Sequence, residues 1–397
     1  MIVRAMLSAK EIKRLILKKK GIITASSARV FRQSYFGNDI IAPNSDPTPD
    51  KTDWRGYAPV ELWIMSIVEA DNQVRMPGEG ITKVLIDSEK IPLTQIKDLL
   101  GEFVFGSYIN HWPLTKILDI GGRTTRTSFG TKEIPPIPAH VHGGKISKGK
   151  VLKPGKSEAY FFPPTNLEPY NKKISAKTRI GLKPKVKKED IRKKLKEFGK
   201  NDLMYTLLNE FKIRPMTGWT VPQGIIHAPG PYLTFEIQLP QDDYNLASWR
   251  LGERLEEQER NRRYGELVLR GLKNEGVFVE LLLDWPANTD KDFEKKYFRE
   301  PKVIESGSWG RRLQIFFDQF YGEGWELFPG QTKTLPVKNV PVAGVVWSGQ
   351  AAINDSRLEQ GGQNEFLAIP DTKITVTNPG ILPLFIYTVE PIKNQTS

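Results

Sequence analysis

Short stretches of alternating apolar and polar residues recur along the chain, which is the pattern of strands with one buried face. We expect such strands over 61–70 and 232–239 and a buried strand over 114–120. Within 232–239, Phe235 and Ile237 fall on one side of the strand and Glu236 falls on the other. From about residue 312 the chain returns to short apolar stretches separated by Gly and Pro turns. This second group of strands predicts a second barrel or sandwich.

Apolar residues at helical spacing interrupt the strands and predict helical insertions. We expect helices over 92–101, 188–199, 202–211 and most of 246–272. The first 21 residues also carry apolar residues at helical spacing among lysines, but they lack a continuous apolar stretch. We therefore interpret this segment as a surface helix rather than a signal peptide. No apolar run in the sequence is long enough to span a bilayer.

Composition narrows the chemistry that the chain can perform. The sequence has no cysteine, which excludes disulfides, thiolate metal sites and thiol catalysis. Of the formal net charge of +12, residues 171–200 contribute 13 Lys and Arg against 3 Asp and Glu, a net +10. Such a block could be a solvated helix face, steer a phosphorylated substrate or bind nucleic acid. Nucleic acid is the least favoured of the three because no aromatic residues are interleaved with the basic ones.

Three of the four histidines lie in two short motifs that together predict one metal site. His140 and His142 are two residues apart, so on a strand both side chains face the same side. Glu158 follows in the next apolar stretch, and His227 lies in a Pro-x-Gly-x-x-His turn. Neutral imidazole and carboxylate suit Zn²⁺, Fe²⁺, Mn²⁺ or Ni²⁺. We therefore predict that these four residues bind one divalent ion.

Six short segments occur in an order that matches a known family. The segments are Glu61-Leu62-Trp63, Leu99-Leu100-Gly101, Trp112 through Asp119, Gly155-Lys156-Ser157-Glu158, Ile180 through Val186, and Pro222 through Gly230. In this order they resemble segments of the type I mannose-6-phosphate isomerases, which belong to the cupin superfamily. The resemblance is good over residues 55–245 and looser over 335–391.

The resemblance implies a mainly β protein with helical insertions, built as a bicupin of two β-barrels or jelly rolls. Metal is implied only in the N-terminal barrel, because residues 345–354 resemble the middle of a cupin barrel without ligands. The implied divisions are an N-terminal extension (1–60), a catalytic cupin domain (61–245) with a helical insert (186–211), a helical or irregular connector (246–311) and a second barrel without ligands (312–397).

The resemblance also implies an activity, the metal-dependent isomerisation of a sugar phosphate, with mannose 6-phosphate to fructose 6-phosphate as the expected reaction. It implies a functional carboxylate at Glu236, which is our candidate base in a reaction through a cis-enediol. By strand alternation Lys156 faces the same cavity as Glu158, where it could hold an oxyanion, a sugar hydroxyl or phosphate. For Glu236 the alternative is a strand carboxylate paired with a nearby lysine. For Lys156 the alternative is a lysine at the rim of the cavity, exposed to solvent.

The chain departs from the family pattern at two places. His140 replaces the usual glutamine ligand, and imidazole in place of an amide oxygen favours a softer divalent ion. The family also has an arginine in a Thr-Tyr-Arg segment, whereas the matching residues 242–245 contain none. Arg250 lies one turn further along and is the candidate replacement, with a helix-surface position as the alternative.

Two other functions stay open at this point. Three histidines and a carboxylate also suit redox iron, so the chain could be another cupin metalloenzyme, such as an iron dioxygenase or a free-sugar isomerase or epimerase. It could also be a non-catalytic sugar-binding cupin. We expect zinc as the metal, with manganese, iron or nickel as alternatives, and a small-molecule sugar phosphate as the ligand. We expect no membrane or nucleic-acid partner and a cytoplasmic location, whereas the oligomeric state is open.

Overall fold

The computed structural model describes residues 7–32, 58–73, 75–120, 124–147, 150–164, 176–360 and 363–392 of the chain. Strands dominate these residues, and short helices connect them. No helix in these ranges combines the length and the apolar character needed to cross a membrane. The mainly β fold with helical insertions is therefore confirmed.

Within the described residues, seven antiparallel strands form a sheet at the centre of the molecule. In spatial order they are Phe298–Arg299, Thr217–Val221, Glu158–Phe162, Leu233–Gln238, Leu114–Asp119, Ala58–Ile64 and Ala28–Arg32. Every residue of Glu158–Phe162 and of Leu114–Asp119 is buried. A strand is buried at every position only when both faces of its sheet are covered, so this sheet lies between two other layers.

A second antiparallel sheet, with five strands among the described residues, covers one of these faces. Its strands, in spatial order, are Leu208–Lys212, Lys177–Leu182, His227–Ala228, His140–Val141 and Asn245–Leu246. Two short hairpins border this half of the molecule, Lys145–Ser147 with Lys150–Lys153 and Thr125–Arg126 with Lys132–Glu133. The five-stranded and seven-stranded sheets enclose a cleft between them.

The other face of the seven-stranded sheet packs on a sheet that the described residues build from nine strands. Their spatial order is Lys302–Gly307, Gly310–Phe316, Gly322–Leu327, Leu384–Val389, Val342–Ser348, Glu365–Ala368, Ile22–Ser26, Lys83–Ile86 and Glu89–Pro92. A four-stranded sheet accompanies it, in the order Thr332–Thr334, Thr375–Thr377, Gln350–Ile353 and Ser356–Glu359. Aromatic side chains fill the contact between the two large sheets: Phe235 stacks on Phe316 with ring centroids 5.5 Å apart.

We expected two β-barrels or jelly rolls, and the sheets that the described residues form are not closed barrels. Each half is a pair of open sheets facing each other, because the outermost strands pair on one side only among the described residues. The nine-stranded sheet also takes strand Ile22–Ser26 from the beginning of the chain, which pairs with Glu365–Ala368. Hydrogen bonds therefore cross the domain boundaries that we predicted at 60, 245 and 311, and those boundaries stay a prediction.

The helices are short. In the described ranges the α-helices are Ala9–Lys18, Leu93–Phe105, Lys188–Lys196, Glu257–Arg263, Glu275–Leu282, Trp285–Asn288 and Phe293–Tyr297. The 3₁₀ helices there are Gly106–His111 and Leu203–Leu207, and a π-helix covers Tyr264–Leu269. The N-terminal helix is amphipathic as predicted. Ser8 caps it in a capping box with Glu11, and Ile12 and Ile16 are buried against the core.

Two predicted helices are wrong over much of their length. Residues 202–211 form a single 3₁₀ turn and then strand Leu208–Lys212, because pairing with Lys177–Leu182 satisfies their backbone groups. Residues 246–272 are helical only from Glu257 onward. Gly252 has φ +77° and approaches Thr125 and Arg126 so closely that a Cβ there would lie 2.6 Å from the Thr125 hydroxyl oxygen. Only glycine fits at this close contact, and the backbone at Gly252 does not have the helical conformation.

Candidate metal centre and cleft

The two facing sheets bring the four predicted ligands to one point. His140 and His227 lie directly opposite each other on adjacent strands of the five-stranded sheet, and His142 follows two residues later. Glu158 begins a strand of the seven-stranded sheet across the cleft. One donor atom from each of the four residues lies within 4.8 Å of the others, and all four side chains are buried. The described residues contain no other cluster of this type.

Backbone carbonyl groups fix the orientation of all three imidazole rings. The Nδ1 atoms of His140, His142 and His227 lie 2.8, 2.5 and 2.8 Å from the carbonyl oxygens of Pro138, Asp243 and Ile225. A carbonyl oxygen can only accept, so each Nδ1 carries the proton and donates it. Each Nε2 therefore presents a lone pair to the cleft, which is how outer hydrogen bonds prepare histidines to bind a metal.

Two of these lone pairs face the carboxylate oxygens of Glu158, which are hydrogen-bond acceptors as well. The Nε2 atom of His142 lies 2.9 Å from one carboxylate oxygen of Glu158, and that of His227 lies 3.0 Å from the other. Both Nε2 atoms are buried and have no hydrogen-bond partner among the described residues. Acceptors facing one another at this distance repel unless a cation lies between them. The donor set and its orientation therefore fit a divalent metal ion.

The protonation states also suit metal binding. Burial, together with the neighbouring His227 and His142, holds the pKa of His140 well below its ordinary value. Burial lowers the pKa of His142 in the same way, with Lys156 adding to the effect. Burial opposes ionisation of Glu158, but the ammonium group of Lys156 outweighs it and holds the pKa of Glu158 well below the usual range. Neutral imidazoles and an ionised carboxylate are the forms that bind metal.

Three of the ligands, His140, His142 and Glu158, line a cleft whose walls include the predicted base and the predicted lysine. The Nζ atom of Lys156 donates to Glu158 at 2.9 Å and to the side-chain oxygen of Gln238, and the lysine is buried rather than on the rim. The Tyr160 hydroxyl donates to the other oxygen of Glu158. Lys156 and Tyr160 thus hold the carboxylate ligand from two sides.

Glu236 lies in the same cleft on strand Leu233–Gln238, opposite Lys116 and Tyr160 in the strand register. It is 4% exposed, and its Oε1 atom has no hydrogen-bond partner in the described part of the chain. Burial and the nearby charge of Glu158 raise the pKa of Glu236 to about 7. A carboxyl group that titrates near neutral pH is suited to general base catalysis.

Arg250 is not among the residues that line the cleft. Its guanidinium group packs on the ring of Trp249 and forms an ion pair with Glu253 at 3.1 Å. The structure therefore does not bring Arg250 to the predicted site.

Around Glu236, the wall of the cleft is a cluster of charged side chains that the sequence analysis did not identify. Arg32 donates to Glu61 at 2.8 Å and to Asp242 at 2.9 Å, and Lys116 lies among Glu61, Asp242 and Glu236. All five side chains are buried and line the cleft. One sequence signal could have revealed part of this group: Lys116 lies within a stretch predicted to be a buried strand, and lysine is rarely buried without a partner.

The basic block is largely a solvated surface. Within the described part of 171–200, Lys188 and Arg192 both form ion pairs with Glu280, and these side chains are substantially exposed. Lys194 pairs with Glu197 one helical turn away. These contacts agree with a solvated helix face, and exposed pairs of this kind contribute little to stability.

Among the comparisons with known proteins, the comparison with solved structures identifies the fold. No family model matches the chain, and no curated protein matches its sequence. Among solved structures, mannose 6-phosphate isomerase from Bacillus subtilis is similar over 93% of this chain and 99% of its own, with 16% identity and a TM-score of 0.62. A protein from Archaeoglobus fulgidus, provisionally described as a mannosephosphate isomerase, matches over 94% and 97%, with 17% identity and a TM-score of 0.59.

A mannose 6-phosphate isomerase bound with zinc and yttrium matches over 94% of this chain and its full length, with 11% identity and a TM-score of 0.57. At such low identities the likeness establishes the fold and not the activity. The chain therefore has the fold of the mannose-6-phosphate isomerases that its sequence motifs resemble.

Proposed function

We propose that the chain is a metal-dependent aldose–ketose isomerase acting on a sugar phosphate, with mannose 6-phosphate and fructose 6-phosphate as the interconverted pair. The observation that carries the proposal is that the four predicted metal ligands meet at one point and that three of them, His140, His142 and Glu158, share a cleft with a second buried carboxyl group, that of Glu236. The shared fold supports it, because the solved structures that it resembles are mannose-6-phosphate isomerases.

The four ligands would hold one divalent ion, for which we propose zinc. When bound, this ion supplies Lewis-acid stabilisation of the negative charge that develops on a substrate oxygen during enolisation. A similar fold has been solved with zinc, which supports this choice of metal. We place the metal in the N-terminal half only, since the second pair of sheets carries no such ligand cluster among the residues described.

The chain's own residues provide the proton transfer. Isomerisation moves a proton between C1 and C2 through a cis-enediol, so one base must remove the proton and return it on the same face. Glu236 is buried, has a pKa of about 7 and has a carboxylate oxygen without a hydrogen bond to the described residues, as this task requires. Lys156 uses two of its three N–H donors on Glu158 and Gln238, which leaves one for a sugar hydroxyl or oxyanion.

The decisive experiment measures metal content and turnover on the same purified protein. The protein is loaded separately with zinc, manganese, iron and nickel and assayed on mannose 6-phosphate, glucose 6-phosphate and fructose 6-phosphate. Turnover should be accompanied by exchange of the C2 proton with solvent, visible by NMR in deuterated water, because the base shares its proton with water.

Glu236→Gln is the matching variant. It should retain the metal and the fold but lose about 10²–10⁴-fold in rate, the usual contribution of a general base. Glu365→Gln is the control, because Glu365 is also a fully buried glutamate with a pKa near 7 but does not line the cleft. Full turnover in Glu236→Gln would remove this residue from the mechanism.

The same donor set suits redox iron, so an iron-dependent dioxygenase is the competing assignment. Oxygen consumption by the iron-loaded protein, without turnover of any of the three sugar phosphates, would replace the isomerase proposal with that one. A metal-replete protein with neither activity would indicate a sugar-binding protein instead.

A further inference from the structure

We propose that Arg32 is a positioning residue for the proton transfer. It holds Glu61 and Asp242 in place around Lys116, so that the lysine ammonium group stays beside Glu236. This inference rests on the proposed isomerase function. Arg32 precedes the predicted catalytic domain, and it provides the cleft with a guanidinium group that residues 242–245 and Arg250 do not provide.

The contacts of Arg32 use each nitrogen of its guanidinium group. Nε lies 2.8 Å from Glu61, Nη2 lies 2.9 Å from Asp242, and Nη1 lies 2.8 Å from Asn72. Nη2 also reaches the second oxygen of Glu61 at 3.3 Å. The residue is 3% exposed, so these are buried, charge-assisted hydrogen bonds in a fixed fork geometry. Only arginine can bridge two carboxylates in this way.

Lys116 is shared by three carboxyl groups at nearly equal distances. Its Nζ atom lies 3.5 Å from Glu61, 3.7 Å from Asp242 and 3.7 Å from Glu236. Glu61 and Asp242 have Arg32 as a second cation, whereas Glu236 has Lys116 as its one cation within 4 Å in the part of the chain that the structure describes. The position of Lys116 therefore depends on how far Arg32 already neutralises the carboxylates of Glu61 and Asp242.

Removal of Arg32 would change this balance in a definite direction. Glu61 and Asp242 would each lose a buried partner, and the nearest remaining cation is Lys116. Because an uncompensated buried carboxylate is costly, Lys116 would move toward them and away from Glu236. Glu236 would then face the cleft without a cation to steady its ionised form or its orientation.

The chain offers a matched control for this experiment. Arg179 is also buried, at 5% exposure, and it also bridges two glutamates, Glu133 and Glu210, each at 2.8 Å. It does not line the cleft. Arg32→Ala should cost more folding stability than Arg179→Ala, because Glu61 and Asp242 are buried whereas Glu133 and Glu210 are partly exposed. Only Arg32→Ala should affect catalysis.

The test compares metal-loaded wild type, Arg32→Ala and Arg179→Ala in steady-state kinetics. Arg32→Ala should bind metal normally and keep its KM, while kcat falls by about 10–100-fold, as expected when a catalytic group is misplaced by about 1 Å. Added methylguanidinium should restore part of kcat in Arg32→Ala and have no effect on Arg179→Ala. Unchanged kcat in Arg32→Ala, or a kcat loss equal to that of Arg179→Ala, would overturn the inference.

A second measurement does not depend on activity. In a crystal structure of metal-loaded Arg32→Ala, the distance from Lys116 Nζ to Glu236 should exceed 4 Å, while the four metal ligands stay in place. Lys116 remaining beside Glu236 would overturn the inference whether or not the wild type isomerises sugar phosphates. A wild type without isomerase activity would overturn only the proposed function, so the two failures are distinguishable.

Discussion

At the residue scale, each ligand histidine uses its two nitrogens for different purposes. Nδ1 of His140, His142 and His227 donates to a backbone carbonyl, and Nε2 is left for the cleft. The carbonyl groups lie two residues away in sequence for His140 and His227, whereas His142 uses the carbonyl of Asp243, 101 residues later. The local backbone therefore sets the tautomer of His140 and His227, while the tertiary structure supplies the partner that sets the tautomer of His142.

The first prediction concerns these ligands. His142→Ala should lower the affinity for a divalent ion by more than about 10–100-fold, since loss of even an outer partner of a ligand typically costs that much. His111→Ala is the control, because His111 ends a 3₁₀ helix and is not part of the cluster. Metal content after dialysis against a weak chelator, measured by mass spectrometry, gives the comparison. Equal metal retention in the two variants would refute the predicted site.

The second prediction is a pH dependence of turnover. Burial and the charge of Glu158 raise the pKa of Glu236 to about 7, and a base must be ionised to accept a proton. The value of kcat/KM should therefore rise as pH passes upward through about 7 and fall away below it. A pH profile of the metal-loaded protein, with Glu236→Gln measured in parallel, tests the assignment. A similar acid limb in Glu236→Gln would assign the titration to another group.

At the element scale, strand pairing overrides the local sequence pattern where the two disagree. Residues 208–212 carry apolar residues at helical spacing, yet they pair with Lys177–Leu182 as an edge strand. Leu208 is fully buried in that arrangement. The ladder satisfies backbone groups that an isolated short helix would hold only marginally in water, so the outcome depends on a neighbour that the local pattern does not contain.

A buried glutamate joins two elements far apart in sequence. Glu365, on strand Glu365–Ala368, accepts a hydrogen bond of 3.0 Å from the backbone N–H of Met65, 300 residues earlier. Met65 has φ +43° and directly follows strand Ala58–Ile64. Burial raises the pKa of Glu365 to about 7, with the Ser27 hydroxyl and the Met65 N–H acting in the opposite direction.

The third prediction follows from that contact. A carboxyl group with a higher pKa in the folded state binds more protons there than in the unfolded chain, so stability falls as pH rises from the ordinary value of 4.5 through about 7. The loss should approach about 3 kcal/mol above pH 7. Glu365→Gln keeps the acceptor for Met65 but cannot ionise. It should therefore be more stable than wild type at pH 8 and should lose most of this advantage at pH 5.

Urea denaturation at the two pH values measures this difference. Glu102→Gln, at an exposed position of helix Leu93–Phe105, serves as the control for removal of one negative charge. If wild type and Glu365→Gln showed the same change in unfolding free energy between pH 5 and pH 8, Glu365 would be ionised in the folded protein and the prediction would fail.

At the scale of the whole molecule, the two halves are joined through the contact between their large sheets. Tyr387, on the nine-stranded sheet, has ring centroids 5.4 Å from those of Phe161 and Phe235 on the seven-stranded sheet. It is 2% exposed, and its hydroxyl has no hydrogen-bond partner among the residues described. The second half of the molecule thus covers the apolar face of the seven-stranded sheet. Glu158 and Glu236 belong to this sheet.

The fourth prediction separates the ring of Tyr387 from its hydroxyl. Tyr387→Ala should destabilise the protein by about 3–5 kcal/mol, as is usual when a large buried aromatic ring is removed. Tyr387→Phe should change stability by less than about 1 kcal/mol, since the lost hydroxyl forms no hydrogen bond to the described residues. Equilibrium unfolding in urea compares the variants. A larger loss in Tyr387→Phe than in Tyr387→Ala would contradict this account of the interface.

The sequence by itself determined the features that depend on near neighbours. Strand alternation places His140 and His142 on one face and Lys156 beside Glu158, and the structure brings these residues and His227 together as expected. The central strands were also predicted to within two residues, 232–239 from its alternation and 114–120 as a buried strand. These are properties that a few consecutive side chains specify.

Only the tertiary structure decided the features that depend on distant pairing. Arg32 meets Asp242 across 210 residues, and Ile22–Ser26 joins a strand more than 300 residues later. No local periodicity encodes such contacts, because each is selected by the burial of whole sheets and the pairing of buried charges. The metal ligands were therefore visible in the sequence, whereas the charged wall that surrounds Glu236 became visible only once the sheets were assembled.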